Sequence, residues 1–210
     1  MPTVYWNGTD TCSTRGVVCN NDIALVALGN QNNSTNNSLQ AGNLVGGWYS
    51  YGWNNYNFFT PDPSFQSVFS NKLFAAITQL GYPASHDSGL KIQINNAYGG
   101  YALSGNLKNT WLGSAMTGGS SGGPWLVNLG IDASGANYGL DAIRNVVVGV
   151  TSWGYVDAGI KLQGASSFAQ NVQFPNANYG TRGAGNIGAL VNAACDGASP
   201  WNLQSQGRCR

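Results

Sequence analysis

Charge is scarce in this sequence: Asp, Glu, Lys and Arg make up 8% of its 210 residues, against roughly 25% in an ordinary soluble domain. Nine basic residues nearly cancel eight acidic ones, leaving a net charge of +1. No basic cluster stands out that could follow a phosphate backbone, which argues against nucleic acid as a partner. No apolar run is long enough to cross a bilayer, so no membrane partner is expected. Residues 1–18 have neither the basic start nor the apolar stretch of an export signal. Histidine occurs once, and no His or Cys stands at zinc-binding spacing beside the four cysteines, so neither metal nor cofactor is expected. Oligomeric state is not readable from the sequence.

What is present is polarity without charge, supplied by Asn, Ser, Thr and Gly, a surface that suits a secreted, extracellular protein. The 42% hydrophobic content suffices for one large all-β domain or two small barrels. The cysteines fall into two close pairs, Cys12 with Cys19 and Cys195 with Cys209, and two local disulfides in an oxidising compartment are the favoured reading over four free thiols. Sequons at Asn7, Asn32, Asn33 and Asn36 point the same way, weakly in so Asn-rich a chain.

Thirty glycines, ten tyrosines and seven tryptophans separate short β-branched runs, a pattern for barrels rather than helical bundles. Strands are expected at 22–28, 72–80, 90–97, 125–128 and 145–152. Near the end, Ile187, Leu190, Val191 and Ala194 fall at helical spacing behind a candidate Asn186 cap, predicting a helix over 186–195. Residues 29–42 read as an Asn/Ser-rich loop, followed by Trp48, Tyr49, Tyr51, Trp53, Tyr56, Phe58 and Phe59. The whole of 29–70 is taken as a connection between two β units. Its rings are expected to pack onto their own barrel, although stacked aromatics can also bind sugars.

Chemistry concentrates in Gly119-Ser120-Ser121-Gly122-Gly123-Pro124. A nucleophilic serine needs an exposed hydroxyl and nearby backbone N–H groups for the developing oxyanion. Glycine on both sides of Ser121 permits the tight path that aims the Gly119 and Ser121 N–H groups at one spot. A Gly/Ser turn without catalytic role is the competing reading of this hexapeptide alone. Downstream, Val147-Val148-Gly149-Val150-Thr151-Ser152-Trp153-Gly154 reads as a buried strand ending in an exposed Ser-Trp-Gly, and upstream Asn20-Asn21-Asp22-Ile23-Ala24-Leu25-Val26 sets an aspartate at the head of an apolar run.

Together these three segments resemble the chymotrypsin-like serine proteases, with Gly81-Tyr82-Pro83 and Thr117-Gly118-Gly119 nearer the microbial branch that includes glutamyl endopeptidases. The resemblance runs from about Cys19 to Cys195. It implies an all-β, chymotrypsin-like double antiparallel β-barrel with an incomplete N-terminal barrel and a C-terminal helix. Residues 1–71 would be the remnant of the first barrel with its connection, and 72–210 the second barrel. It further implies Ser121 and Asp22 as catalytic residues, the Asp22 carboxylate buried, and Gly119 and Ser121 as the oxyanion hole. Ala115, Met116, Thr151, Ser152, Trp153, Gly154 and Gly164 would bind a polypeptide substrate, Gly164 as the wall opposite Ser152–Gly154. Ser120 stands where activated trypsin-like enzymes carry an aspartate, so that activation switch is expected to be absent.

In this family the catalytic histidine precedes the aspartate, whereas the 21 residues before Asp22 contain none. The sole histidine, His86, lies in a polar loop after the Gly-Tyr-Pro segment and is expected to be solvated. The resulting expectation is a serine endopeptidase by descent, lacking the first segment of its family and inactive alone. A non-catalytic peptide-binding pseudoprotease is the alternative, and a carbohydrate-binding module using Trp48 and Trp53 is a third reading.

Overall fold

A computed structural model describes residues 22–52, 73–104, 107–130, 144–168, 185–195 and 201–209. In chain order the elements are β1 (Gln31–Asn32), β2 (Ser38–Leu39), helix α1 (Ala41–Val45), β3 (Ser50–Tyr51), β4 (Leu73–Gly81), β5 (Gln93–Ser104), β6 (Leu107–Gly113), β7 (Pro124–Val127), β8 (Val146–Gly154), β9 (Leu162–Ser167) and helix α2 (Gly185–Cys195). Strands β4 to β9 close a six-stranded antiparallel barrel in the order β7-β4-β5-β6-β9-β8, with β8 pairing back onto β7. Among the described residues the chain is thus mostly β, with one closed barrel and a C-terminal helix, the all-β class expected. Over 22–52 the described residues hold the β1–β2 hairpin, α1 and β3, which adds in parallel to the start of β8 at Val146 and Val147.

Period-two alternation fills the barrel. Ala75 and Ile77 of β4, Leu112 of β6, Trp125 and Val127 of β7, Val146 and Val148 of β8 and Ala165 of β9 point inward as one buried cluster. On the outside, Val147 and Val150 of β8 receive Ile187, Leu190 and Val191 of α2, together with Ile23, Tyr51 and Phe168. The helix starts at Gly185, one residue before the expected start, so Asn186 lies inside its first turn rather than capping it. Asn186 Oδ1 accepts the Ile187 N–H at 2.7 Å while its Nδ2 donates to the Ser167 carbonyl at 2.9 Å, pinning α2 to the end of β9.

Several expectations need correction. Residues 22–28 form no strand. Their apolar run finds no ladder partner among the described residues; Ile23 alone is buried, while Val26 and Leu28 are 75% and 63% exposed. β5 starts at Gln93 rather than residue 90 and runs on to Ser104. Residues 29–42 are not one loop: Asn33 Oδ1 accepts the Thr35 N–H, the Thr35 hydroxyl and the Asn37 N–H at 3.0, 2.8 and 2.9 Å, folding a hairpin tip between β1 and β2. Trp48 and Tyr49 are exposed rather than packed on the barrel, whereas Tyr51 does pack against the α2 cluster. Trp53, Tyr56, Phe58 and Phe59 lie outside the described residues, as do Cys12 and Cys19. Cys195 and Cys209 form a disulfide.

Candidate active site

Ser121 sits on two consecutive tight turns between β6 and β7. The Ser120 N–H donates to the Thr117 carbonyl at 3.2 Å, with Gly119 at φ +98° in the first turn. The Gly123 N–H donates to the Ser120 carbonyl at 3.0 Å, with Gly122 at φ +78° in the second. Beyond conformation, space requires glycine here. A Cβ on Gly119 would lie 2.5 Å from the Tyr82 carbonyl oxygen, and one on Gly123 would lie 2.1 Å from that of Leu80. The loop is then tied to β8 through Gly122 N–H to the Thr151 carbonyl and Thr151 N–H to the Gly123 carbonyl, both at 2.9 Å. Ser121 is exposed, and the N–H groups of Gly119 and Ser121 make no hydrogen bond among the described residues.

β8 carries a bulge at Ser152. Thr151 pairs with Ala165 and Trp153 with Gly164, leaving Ser152 outside the register. An extra residue of this kind re-aims a side chain, and the freed Ser152 hydroxyl donates to Asp22 Oδ2 at 2.9 Å. The Asp22 N–H in turn donates to Ser166 Oγ at 3.1 Å. Asp22 is therefore held from both sides, but it is exposed, not buried as expected. Without a strand over 22–28, it is the Ile23 side chain docking among Phe168 and Ile187 that seats the aspartate.

A cavity of about 400 Å³ opens beside Ser121. Ala115, Met116, Thr151, Ser152, Trp153 and Gly154 line it together with Ser121, so six of the seven expected substrate-binding residues share one space with the candidate nucleophile. Gly164 does not line it. The Trp153 indole lies over that glycine, where an added Cβ would fall 1.8 Å from Trp153 Cε2. In this position Trp153 Nε1 is buried without a hydrogen-bond partner among the described residues. Tyr155 meets the indole edge-on at 6.0 Å between ring centroids.

Beneath the cavity lies a buried polar network that the sequence reading missed. Gln79 Nε2 donates to Gln163 Oε1 at 2.5 Å and to Thr151 Oγ1 at 3.0 Å; the Ser114 hydroxyl donates to Gln79 Oε1 at 2.7 Å. Gln163 Nε2 donates to the Met116 carbonyl at 2.7 Å, and the Trp125 indole N–H reaches Thr151 Oγ1 at 2.8 Å. Ser120, also buried, donates its hydroxyl to the Thr117 carbonyl at 2.5 Å. The position expected to lack an activating aspartate is thus satisfied within its own loop. One signal could have revealed Gln79: it stands in phase with Ala75 and Ile77, on the inward side of β4.

His86 is exposed, its Nδ1 2.9 Å from Ser85 Oγ. Among the described residues no three His, Cys, Asp or Glu side chains cluster as metal ligands would, and no helix is long and apolar enough to cross a membrane. Trp48 and Tyr49 line a second cleft, of about 570 Å³, with Gln40, Leu28 and Arg208. What the site offers chemically is the exposed Ser121 hydroxyl on the cavity, N–H groups of Gly119 and Ser121 without a partner among the described residues, and the Asp22 carboxylate, which does not line the cavity but is bound by Ser152, which does.

No protein-family model and no curated protein matches the sequence. Among solved structures the chain is similar to a thermostable serine protease from an extremophilic microorganism. Identity is 22% and the TM-score 0.32, over 45% of this chain and 38% of that one. The chain thus spans well under half of that protein's length.

Proposed function

We propose that this chain is a serine endopeptidase by descent, inactive alone because it carries no histidine placed to serve as base, with Ser121 as nucleophile and the adjoining cavity as the seat of a substrate side chain. One observation carries the reading: Ser152, which lines the cavity with Ser121, also donates a hydrogen bond to Asp22, a residue far from both in sequence. In the reaction Ser121 Oγ bonds to the substrate carbonyl carbon while its proton passes to a base, and the Gly119 and Ser121 N–H groups hold the oxyanion. The C–N bond then breaks, the amine leaves with that proton, and water releases the acid from the acyl ester. Asp22 would orient an imidazole base by accepting its Nδ1–H. His86 is not offered as that base, being engaged with Ser85 on a different loop. Where a carboxylate or imidazole would select a charged substrate side chain, this cavity has Ala115 and Thr151, and the Thr151 hydroxyl already accepts from Gln79 and Trp125. The side chain preferred between Ala115 and Thr151 is neutral, since neither offers a charge to pair with; the charged groups that also line the cavity are the exposed Asp157 and Lys161. The Cys195–Cys209 disulfide supports an extracellular setting.

A fluorophosphonate probe tests this reading, because it labels serines activated by a neighbouring base. The expected outcome is no labelling of the 210-residue chain and strong labelling at Ser121 once an N-terminal segment supplies a histidine, abolished by Ser121→Ala. Labelling of the chain alone that is lost in His86→Ala would make His86 the base. The position of His86 favours a second reading, a peptide-binding protein without catalysis; peptide binding with no labelling in either form would establish it.

A further inference from the structure

We propose that the loop over 82–89 is a clamp that orients the candidate oxyanion donors, with Thr117 and Ser85 as its positioning residues. The inference rests on the acyl-transfer reading for its purpose, but its geometry stands separately. Gly118-Gly119 is the most permissive dipeptide a chain can offer, and a rotation of the peptide plane between them, beside the cavity that Gly118 lines, would exchange the direction of the Gly119 N–H for that of the Gly118 carbonyl. Such a swap would replace attraction for an oxyanion with repulsion. Something must therefore fix that plane.

The 82–89 loop does so at two points. The Ala84 N–H donates to the Gly118 carbonyl at 2.8 Å. In a planar trans peptide the following N–H points the opposite way, so this single bond turns the Gly119 N–H away from the clamp and leaves it unpaired. Second, the Ser85 N–H donates to Thr117 Oγ1 at 3.1 Å, and the Thr117 hydroxyl donates to Ser85 Oγ at 2.9 Å. Within the loop itself, Ser85 Oγ meets His86 Nδ1 at 2.9 Å, which gives the only histidine of the sequence a place at the outer end of the chain of hydroxyls. Thr117 is held at both ends, since its carbonyl accepts the Ser120 N–H and the Ser120 hydroxyl. Its side chain belongs to the clamp and its carbonyl to the nucleophile turn. Thr117 and Ser85 are both exposed, so their hydroxyls add little to a core; their place in the molecule is explained by what they orient.

The test is the direction of the Gly119 N–H vector, measured by amide residual dipolar couplings on the full chain in weakly aligning medium. In the unsubstituted protein Gly119 is expected to fit the same alignment tensor as strands β4 to β9. In Thr117→Val, which removes both Ser85 contacts, the Gly119 coupling should average out while the barrel couplings are unchanged, and Thr117→Ser should restore it. Ser85→Ala keeps the Ser85 N–H bond and should reduce the coupling less. A Gly119 coupling that stays at its original value in Thr117→Val would overturn the clamp. Fluorophosphonate labelling decides the acyl-transfer reading separately, so a protein that never labels but loses its Gly119 coupling would keep the clamp and lose the enzyme.

Discussion

The interior of the barrel has two halves built on the same strands. One is aliphatic, with Ala75, Ile77, Leu112, Val127, Val146 and Val148 all inward. The other, under Ser121, is made of Gln79, Ser114, Thr151 and Gln163, equally buried and joined by hydrogen bonds. Trp125 belongs to both, its ring in the aliphatic cluster and its indole N–H on Thr151. An aliphatic layer stabilises by exclusion of water and tolerates reshaping. A layer of amides has fixed donors and acceptors, so it specifies one arrangement of the strands and loops it touches. That second layer holds the Met116 carbonyl through Gln163 and receives Thr151, which anchors Gly122 and Gly123. The difference teaches that the barrel separates stability from positional definition, and that the definition lies beneath the candidate nucleophile.

Breaking the aliphatic half should have the largest effect. Ile77→Ala, at a site 2% exposed, should cost about 2–5 kcal/mol in urea unfolding through lost transfer energy and a residual cavity. An effect below 1 kcal/mol would mean that this layer is not the stabilising one.

In the amide half, Gln163→Leu alone should cost about 1–3 kcal/mol, because it leaves the Met116 carbonyl and one Gln79 donor direction buried without partners. Gln79→Leu together with Gln163→Leu should cost less than the sum of the single changes, since removing both partners removes the penalty of the orphan. Simple additivity in that double-mutant cycle would count against a coupled network.

The smallest effect is expected at the mouth of the cavity. Gly164→Ala puts a methyl group where the Trp153 ring now lies, yet the indole N–H has no partner there to lose. Trp153 should swing outward at a cost of less than about 1 kcal/mol, well below the usual overpacking penalty. The indole Nε1–H resonance of Trp153 should move to a solvent-exposed shift; an unmoved resonance with a large loss of stability would show the ring to be fixed.

How far the sequence discloses this molecule follows from which physical signals are local. β4, β7, β8 and α2 were legible because β-branched or helically spaced apolar residues mark them. β9 was not: Leu-Gln-Gly-Ala-Ser-Ser reads as loop, and it is a strand because β6 and β8 pair with it on both edges. β6 was hidden likewise by Lys108, Asn109 and Thr110, the last of which is buried against Ser167. At the site, Ser121 and Ser152 were legible from their neighbours, and so was Asp22, although its exposure was not, because the strand expected to bury it does not form. Gln79 and Gln163 escaped because an amide in a strand normally signals the surface, and only its phase with inward neighbours betrays it.

The disulfide at the end of the chain joins the last residue of α2 to Cys209 across a sequence separation of 14. Closing a loop of that size removes about 3 kcal/mol of disorder from the unfolded chain in the entropic account. The enclosed tail also reaches the opposite end of the described chain, with Arg208 donating to the Leu28 carbonyl at 2.8 Å and Gln40 Nε2 to that of Gly207 at 2.6 Å. A peptidase cutting within the ring would leave both braces attached. A reductant would likewise leave them tethered, through the backbone from Cys195 to Cys209, so only scission and reduction together would leave them held by hydrogen bonds alone.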